Sequence, residues 1–273
     1  MQIGSALELS NGVRLPVLGL GVFRARPGAE TRDAVRWALE LGYRHIDTAH
    51  IYGNERDVGA AVRAAGIPRG DVFVTTKLGN RDHGYDATRR AFERSLAALG
   101  LDHVDLYLIH WPVPEGRAQS WRALEAIHAE GGARAIGVSN YTVAHLRGLL
   151  AEADVAPMVA QFELHPFLAQ TELVDLCRRH GIAVEAYSPL TRGRRLHDPV
   201  VQAVAAAHAR TAAQVVLRWS LQKGYVPLPK SVHRQRLAEN AAIFDFELSA
   251  AETARLDALD EGLHVAWDPT GVP

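Results

Sequence analysis

Four side chains in the first half of the chain have the types needed to protonate an oxygen: Asp47, Tyr52, Lys77 and His110. A free phenol titrates near ~10 and is a weak acid at neutral pH. A lysine ammonium within hydrogen-bonding range favours the tyrosinate and is expected to lower that value. An aspartate paired with the lysine keeps the ammonium charged and fixed. A histidine donates to a carbonyl oxygen and orients it. A carbonyl that receives hydride becomes an alkoxide and needs a proton as it forms, so the quartet suits carbonyl reduction and needs no metal. Taken singly, each residue has an ordinary explanation. Asp47 and Lys77 read as a structural ion pair, Tyr52 as a half-buried core residue, and His110 as the end of a strand.

The elements that must position these residues alternate along the chain. Ala6–Leu9 and Val13–Leu15 alternate apolar and polar around Asn11-Gly12, a tight-turn signal, and predict a hairpin. Strands are predicted over Val17–Leu20, His45–Asp47, Val72–Thr76, Val104–Ile109, Ala133–Val138, Val159–Leu164, Ala183–Tyr187 and Val226–Leu228. Helical spacing marks Thr31–Leu41, Thr88–Leu99, Trp121–Glu130, Val143–Ala151, Thr171–His180, Pro199–Arg210 and Gln235–Ala242, with a further helix over Ala212–Gln222 before the last strand. Asp86 is the expected N-cap of the Thr88–Leu99 helix and Gly100 its C′ residue. Eight βα units in order predict a parallel sheet, closed as a (β/α)8 TIM barrel; an open doubly wound sheet is the alternative. The hairpin is expected to close the barrel bottom, and residues 1–273 to form one barrel domain. The chemistry of such a barrel sits at the C-terminal ends of its strands, where a polar or aromatic residue follows nearly every strand here.

Composition narrows the function. The 273 residues carry 30 Lys and Arg against 31 Asp and Glu, a net charge of -1. That balance gives no bulk electrostatic grip on nucleic acid or an anionic membrane. Cys177 is the single cysteine, so no intramolecular disulfide or CxxC metal pair forms, and a reducing, cytoplasmic setting is expected. Residues 1–10 lack the pattern of a signal peptide, and no run approaches the ~20 apolar residues of a membrane span. His45, His50, His83 and His103 have no metal-ligand spacing, and Gly19 with Gly21 falls short of GxGxxG. Trp37, Trp121 and Trp219 read as packing, and Cys177 as inert filler. The cluster Arg192-Gly-Arg-Arg195 reads as solvated surface, with a phosphate contact as the minority view.

The run Gly42-Tyr-Arg-His-Ile-Asp-Thr-Ala-His-Ile-Tyr-Gly-Asn-Glu55 resembles the signature of the aldo-keto reductases. So do Leu101-Asp-His-Val-Asp-Leu-Tyr-Leu-Ile-His-Trp-Pro112, Gly137-Val-Ser-Asn140, and Pro229-Lys-Ser-Val232 followed by Glu239-Asn240. Including the Trp267-Asp-Pro-Thr270 tail, the chain is most similar to the bacterial 2,5-diketo-D-gluconate reductase branch. The resemblance implies that Tyr52 is the general acid, Lys77 and Asp47 its tuning pair, and His110 the carbonyl-orienting donor. It implies that Ser139, Asn140 and Gln161 hold the nicotinamide carboxamide and that Tyr187 stacks on the ring. Ser188 and Leu190 belong to the cofactor loop. Lys230, Ser231 and Arg236 match the pocket for the adenosine 2′-phosphate, Val232 is a further cofactor contact, and Glu239 and Asn240 match the adenine contacts. Two cations and a hydroxyl near a helix start suit a dianion that NAD lacks, so NADPH is the expected cofactor. A monomer acting on a small-molecule aldehyde or ketone follows from the same resemblance, with Phe23, Gly79 and Trp111 joining Tyr52 and His110 around the substrate.

Two positions depart from the family pattern. Gly79 stands where relatives often carry Trp and is expected to widen the substrate pocket. Thr191 replaces a common Gly after Ser188-Pro-Leu190, and a β-branched residue disfavours φ > 0, so the loop is expected to fold differently. The competing readings are a non-catalytic NADPH-binding regulatory subunit and a metal-dependent barrel hydrolase.

Overall fold

The computed structural model describes residues 1–272. The chain opens with an antiparallel hairpin, β1 (Ala6–Glu8) and β2 (Arg14–Pro16). Its turn follows the predicted signal: Gly12 N–H donates to the Leu9 carbonyl at 2.8 Å, with Gly12 at φ 81. Asn11 at the turn donates to the Arg134 carbonyl at 2.8 Å, tying the hairpin to the start of a barrel strand. Leu9 and Leu15 are buried, so the hairpin adds to the core at the N-terminal end of that strand.

Eight parallel strands follow in chain order. They are β3 (Leu20–Gly21), β4 (His45–Asp47), β5 (Phe73–Leu78), β6 (Val104–Ile109), β7 (Ala133–Ser139), β8 (Val159–Glu163), β9 (Ala183–Tyr187) and β10 (Val226–Leu228), each paired with the next. The first and last strands meet through two backbone bonds, Gly19 N–H to the Pro227 carbonyl at 3.2 Å and Gly21 N–H to the Pro229 carbonyl at 3.1 Å. These close the barrel and remove the open-sheet alternative. The closure needs small residues. A Cβ on Gly19 would lie 2.7 Å from His45 Nδ1, and one on Gly21 would lie 3.2 Å from the Leu228 carbonyl oxygen. Every residue of β4, β5, β6, β8 and β10 is buried, as expected for parallel strands covered on the outside by helices.

The covering helices are α1 (Ala29–Glu40), α2 (Glu55–Ala64), α3 (Tyr85–Leu99), α4 (Arg117–Ala129), α5 (Val143–Glu152), α6 (Thr171–Arg179), α7 (Pro199–Ala207), α8 (Ala212–Gln222), α9 (Arg234–Ala241) and α10 (Ala250–Asp257). Among the described residues no single helix is long and apolar enough to cross a membrane. The sequence pattern did not mark α2 or α10. Helix α2 buries Val58, Ala61 and Val62 at helical spacing, but Gly59 interrupts the propensity. Helix α10 buries only Leu256 and rests on its Ser249–Glu252 capping box. Two local expectations are corrected. Gly84, not Asp86, caps α3, because the helix starts at Tyr85 and Asp86 falls in its first turn. Lys77 lies inside β5 rather than past its end, because a partner across the strand pair absorbs its charge. Gly100 does cap α3, in the left-handed region at φ 62.

Candidate active site

A cleft of about 920 Å³ lies at the C-terminal ends of the barrel strands. Its floor is built from neighbouring strands. Lys77 in β5 is wholly buried, and its ammonium donates to both carboxylate oxygens of Asp47 at 2.7 Å and to the Thr48 carbonyl at 2.8 Å. Desolvating an ammonium and a carboxylate costs several kcal/mol each, which only such close, multiple contacts offset. Tyr52 sits on a single 3-10 turn, His50–Tyr52, that follows β4. Its ring centroid lies 5.3 Å from Lys77 Nζ and 5.6 Å from the edge-on ring of His110, which follows β6. The structure thus gathers Asp47, Tyr52, Lys77 and His110 at one rim.

The electrostatics differ from expectation in one respect. Burial first, and the Asp47 carboxylate second, hold the Tyr52 phenol well above the usual tyrosine value. The Lys77 hydrogens go to Asp47 and Thr48, and burial outweighs whatever lowering the ammonium gives, so the phenol stands above its usual value rather than below it as expected. Burial, followed by the Lys77 charge, pushes His110 well below the ordinary histidine value. The phenol therefore stays an O–H donor, and the imidazole stays neutral with a single N–H.

Beside this floor, Asn140 adopts φ 62, a left-handed conformation that Asn tolerates. It donates to the His110 carbonyl at 2.8 Å and to Ser139 Oγ at 3.1 Å, and accepts from the Tyr187 hydroxyl at 2.6 Å. Gln161 Nε2 donates to Asp47 Oδ2 at 2.9 Å. Ser139, Asn140, Gln161 and Tyr187 all line the cleft. The loop after β9 carries Ser188, Thr191, Arg192 and Gly193 at positive φ. Thr191 thus takes the conformation that a β-branched residue disfavours, at φ 51. It is buried and anchored, with its hydroxyl donating to the Leu190 carbonyl at 2.7 Å and accepting from Arg195 N–H at 3.1 Å.

At the far end of the cleft, Lys230, Ser231 and Val232 follow β10, and Arg236, Glu239 and Asn240 stand on α9. Lys230 and Arg236 are exposed, and among the described residues neither forms an ion pair within 4 Å, although the Glu30 carboxylate acts on Lys230 from further off. Glu239 accepts from Thr211 Oγ1 at 2.7 Å. Unpaired cations beside a helix start fit a phosphate dianion. The cleft walls include Phe23, Ile51, Trp111 and Trp267, the last two meeting edge to face at 4.6 Å.

Gly79 is the predicted substrate-site residue that the structure does not bring to the cleft. It is buried, and a Cβ there would lie 2.8 Å from Asp82 Oδ2 and 3.2 Å from His50 Cδ2. Neighbouring side chains fill the space, so no widened pocket results. Sequence reasoning missed Arg24, Ile51 and His233, which also line the cleft. Arg24 follows Phe23 and lies 5.3 Å over its ring, and His233 precedes α9. Each is adjacent to an assigned residue, the one signal that could have found it.

The sequence model of the aldo/keto reductase family matches residues 17–261. The chain belongs to the aldo/keto reductase family. It is 48% identical over 263 residues to glyoxal reductase of Bacillus subtilis, covering 96% of this chain and 95% of that protein. It is 49% identical to morphine 6-dehydrogenase of Pseudomonas putida, over 97% of this chain and 95% of that one. Its structure superposes on that of a Bombyx mori aldo-keto reductase in complex with NADP with a TM-score of 0.91, at 36% identity and covering 97% of this chain and 95% of the other. As a member of this family of oxidoreductases the chain is an enzyme.

Proposed function

We propose that this protein is an NADPH-dependent carbonyl reductase that converts aldehydes and ketones to alcohols. The observation that carries the reading is the phenol of Tyr52 at the cleft floor, directly over the buried Lys77–Asp47 pair and beside a neutral His110. NADPH, when bound, supplies a hydride from its nicotinamide C4. Lys230, Ser231 and Arg236 would hold the 2′-phosphate, with Val232, Glu239 and Asn240 against the adenosine and Ser188 and Leu190 along the diphosphate loop. Ser139, Asn140 and Gln161 would hold the carboxamide, and Tyr187 the face of the ring.

Within the site, His110 donates its N–H to the substrate oxygen and fixes the carbonyl. Tyr52 then gives its proton to that oxygen as negative charge develops there. An alkoxide is far more basic than a phenolate, so the transfer runs downhill even from a buried phenol. Lys77, held by Asp47, stabilises the phenolate left behind, where the charge is most needed. Phe23, Ile51, Trp111 and Trp267 present an apolar mouth suited to substrates with a hydrocarbon or aromatic body. The Trp267–Thr270 tail and the motif set support a resemblance to the 2,5-diketo-D-gluconate reductase branch. Substrate-dependent NADPH oxidation across aldehydes, α-keto esters, diketones and cyclic ketones tests the reading. Turnover of several carbonyl compounds is expected; stoichiometric NADPH binding without turnover of any would favour a regulatory subunit.

A further inference from the structure

The barrel interior beneath the cleft holds an acid that the proposed reaction does not use. Glu185 in β9 is wholly buried and lies opposite Gln161 in the β8–β9 register. Its Oε2 accepts from Gln161 Nε2 at 2.8 Å, and the same nitrogen donates to Asp47 Oδ2 at 2.9 Å. Asp47 in turn spends both oxygens on Lys77. One amide therefore bridges two carboxyl groups that share a single ammonium. The other Glu185 oxygen has no hydrogen-bond partner among the described residues.

The groups facing Glu185 supply no second cation. From β4 come Asp47 and His45, whose Nε2 lies 3.7 Å from Glu185 Oε1 and 2.9 Å from Thr75 Oγ1. Burial, then the Lys77 charge, lowers His45 to about 3, so it is neutral. From β5 comes Lys77, already paired. From β8 comes the uncharged Gln161. Strand β10 brings only Val226, Pro227 and Leu228, and β3 only Leu20 and Gly21. With both carboxyls ionised the interior would carry one uncompensated negative charge, which a dry barrel penalises heavily. The proton that balances the count belongs on Glu185, because Asp47 holds the ammonium. Burial first and the Asp47 charge second push Glu185 up to about 8.

We propose that Glu185 is a positioning residue for cofactor charge, keeping its proton while the reduced nicotinamide lies over Gln161 and releasing it when the oxidised, cationic ring takes that place. The proposal rests on the NADPH reading above. In the step, the Glu185 O–H bond breaks, the electron pair stays on the carboxylate, and the proton goes to bulk solvent; nothing is oxidised or reduced. The charges balance in both states. With the neutral ring, Lys77 offsets Asp47. With the cationic ring, Lys77 and the ring offset Asp47 and Glu185. Affinity for the oxidised form therefore rises with pH until free Glu185 has itself ionised, while affinity for the reduced form does not follow it.

The test is fluorescence titration of the full-length protein with NADP+ and with NADPH across a pH series. The two forms carry the same phosphates, so the ratio of their dissociation constants isolates the ring. In the wild type, preference for NADP+ over NADPH should grow by roughly ten-fold between about pH 6 and about pH 9. Glu185→Gln should flatten that slope and leave NADPH affinity near the wild-type value, whereas Tyr52→Phe should keep the slope. Calorimetry of the wild type in two buffers of different ionisation enthalpy needs no variant: NADP+ binding should release protons and NADPH binding should not. Several results would overturn the inference alone: NADPH binding with a flat ratio, a slope that survives Glu185→Gln or vanishes in Tyr52→Phe, or equal proton release for both forms. Binding of neither dinucleotide would overturn the cofactor reading and this inference together.

Discussion

At the residue scale the site depends on one buried ion pair. Lys77→Met strands the Asp47 carboxylate without a partner and should destabilise the protein by about 3–5 kcal/mol, read as a shift in urea midpoint. Lys77→Met combined with Asp47→Leu should recover much of that stability while leaving turnover lost; additive destabilisation would show that the two residues do not act as a pair. The phosphate reading rests on different residues. Arg236→Ala should weaken NADPH binding about ten-fold and leave NADH binding nearly unchanged, since only the former carries the 2′-phosphate. Equal losses for both would remove that assignment. The quartet was readable because Asp47, Tyr52 and His110 lie within dense motifs and Lys77 directly follows a predicted strand. Glu185 was not, since it stands mid-strand in Ala-Val-Glu-Ala-Tyr, outside those motifs, and only the β8–β9 register sets it opposite Gln161.

At the scale of elements, the parallel strands were the most readable part. Strands buried on both faces are short apolar runs, and β6, β9 and β10 match their predicted bounds. Tertiary packing set the rest. Helix α2 contains a glycine that lowers its propensity, yet that glycine lets the helix lie against the end of α3. A Cβ on Gly59 would run into the Leu99 carbonyl. Gly59→Ala therefore sets a helix-propensity gain of about 1 kcal/mol against an overpacking cost of about 1–3 kcal/mol. The packing cost should win, with a lower thermal midpoint; a rise would show that α2 and α3 part freely. Gly79 teaches the same lesson, because a missing side chain opens a pocket only where its neighbours leave the space unfilled, and Asp82 and His50 fill it.

For the molecule as a whole, the polar barrel interior gives stability two opposing pH dependences. His45 falls from 6.5 to about 3 on folding, through burial and then the Lys77 charge. Below pH 6.5 the unfolded chain gains a proton there that the folded chain refuses, so stability is lost as pH falls toward about 3. Glu185 rises from 4.5 to about 8, so the folded chain keeps a proton that the unfolded chain loses, and stability falls as pH rises through that window. Urea midpoints over a pH series should lose their acid slope in His45→Asn and their alkaline slope in Glu185→Gln; unchanged slopes would mean that neither group is held as described. Above this interior, the cleft, the cations of its far end and the Tyr52 hydroxyl act as one device. The most direct measurement on that device compares NADPH binding and single-turnover carbonyl reduction in the wild type and Tyr52→Phe. The account predicts NADPH affinity within about three-fold of the wild type and a rate of reduction lower by ~100-fold or more, the loss of a general acid. Reduction by Tyr52→Phe at close to the wild-type rate would contradict it.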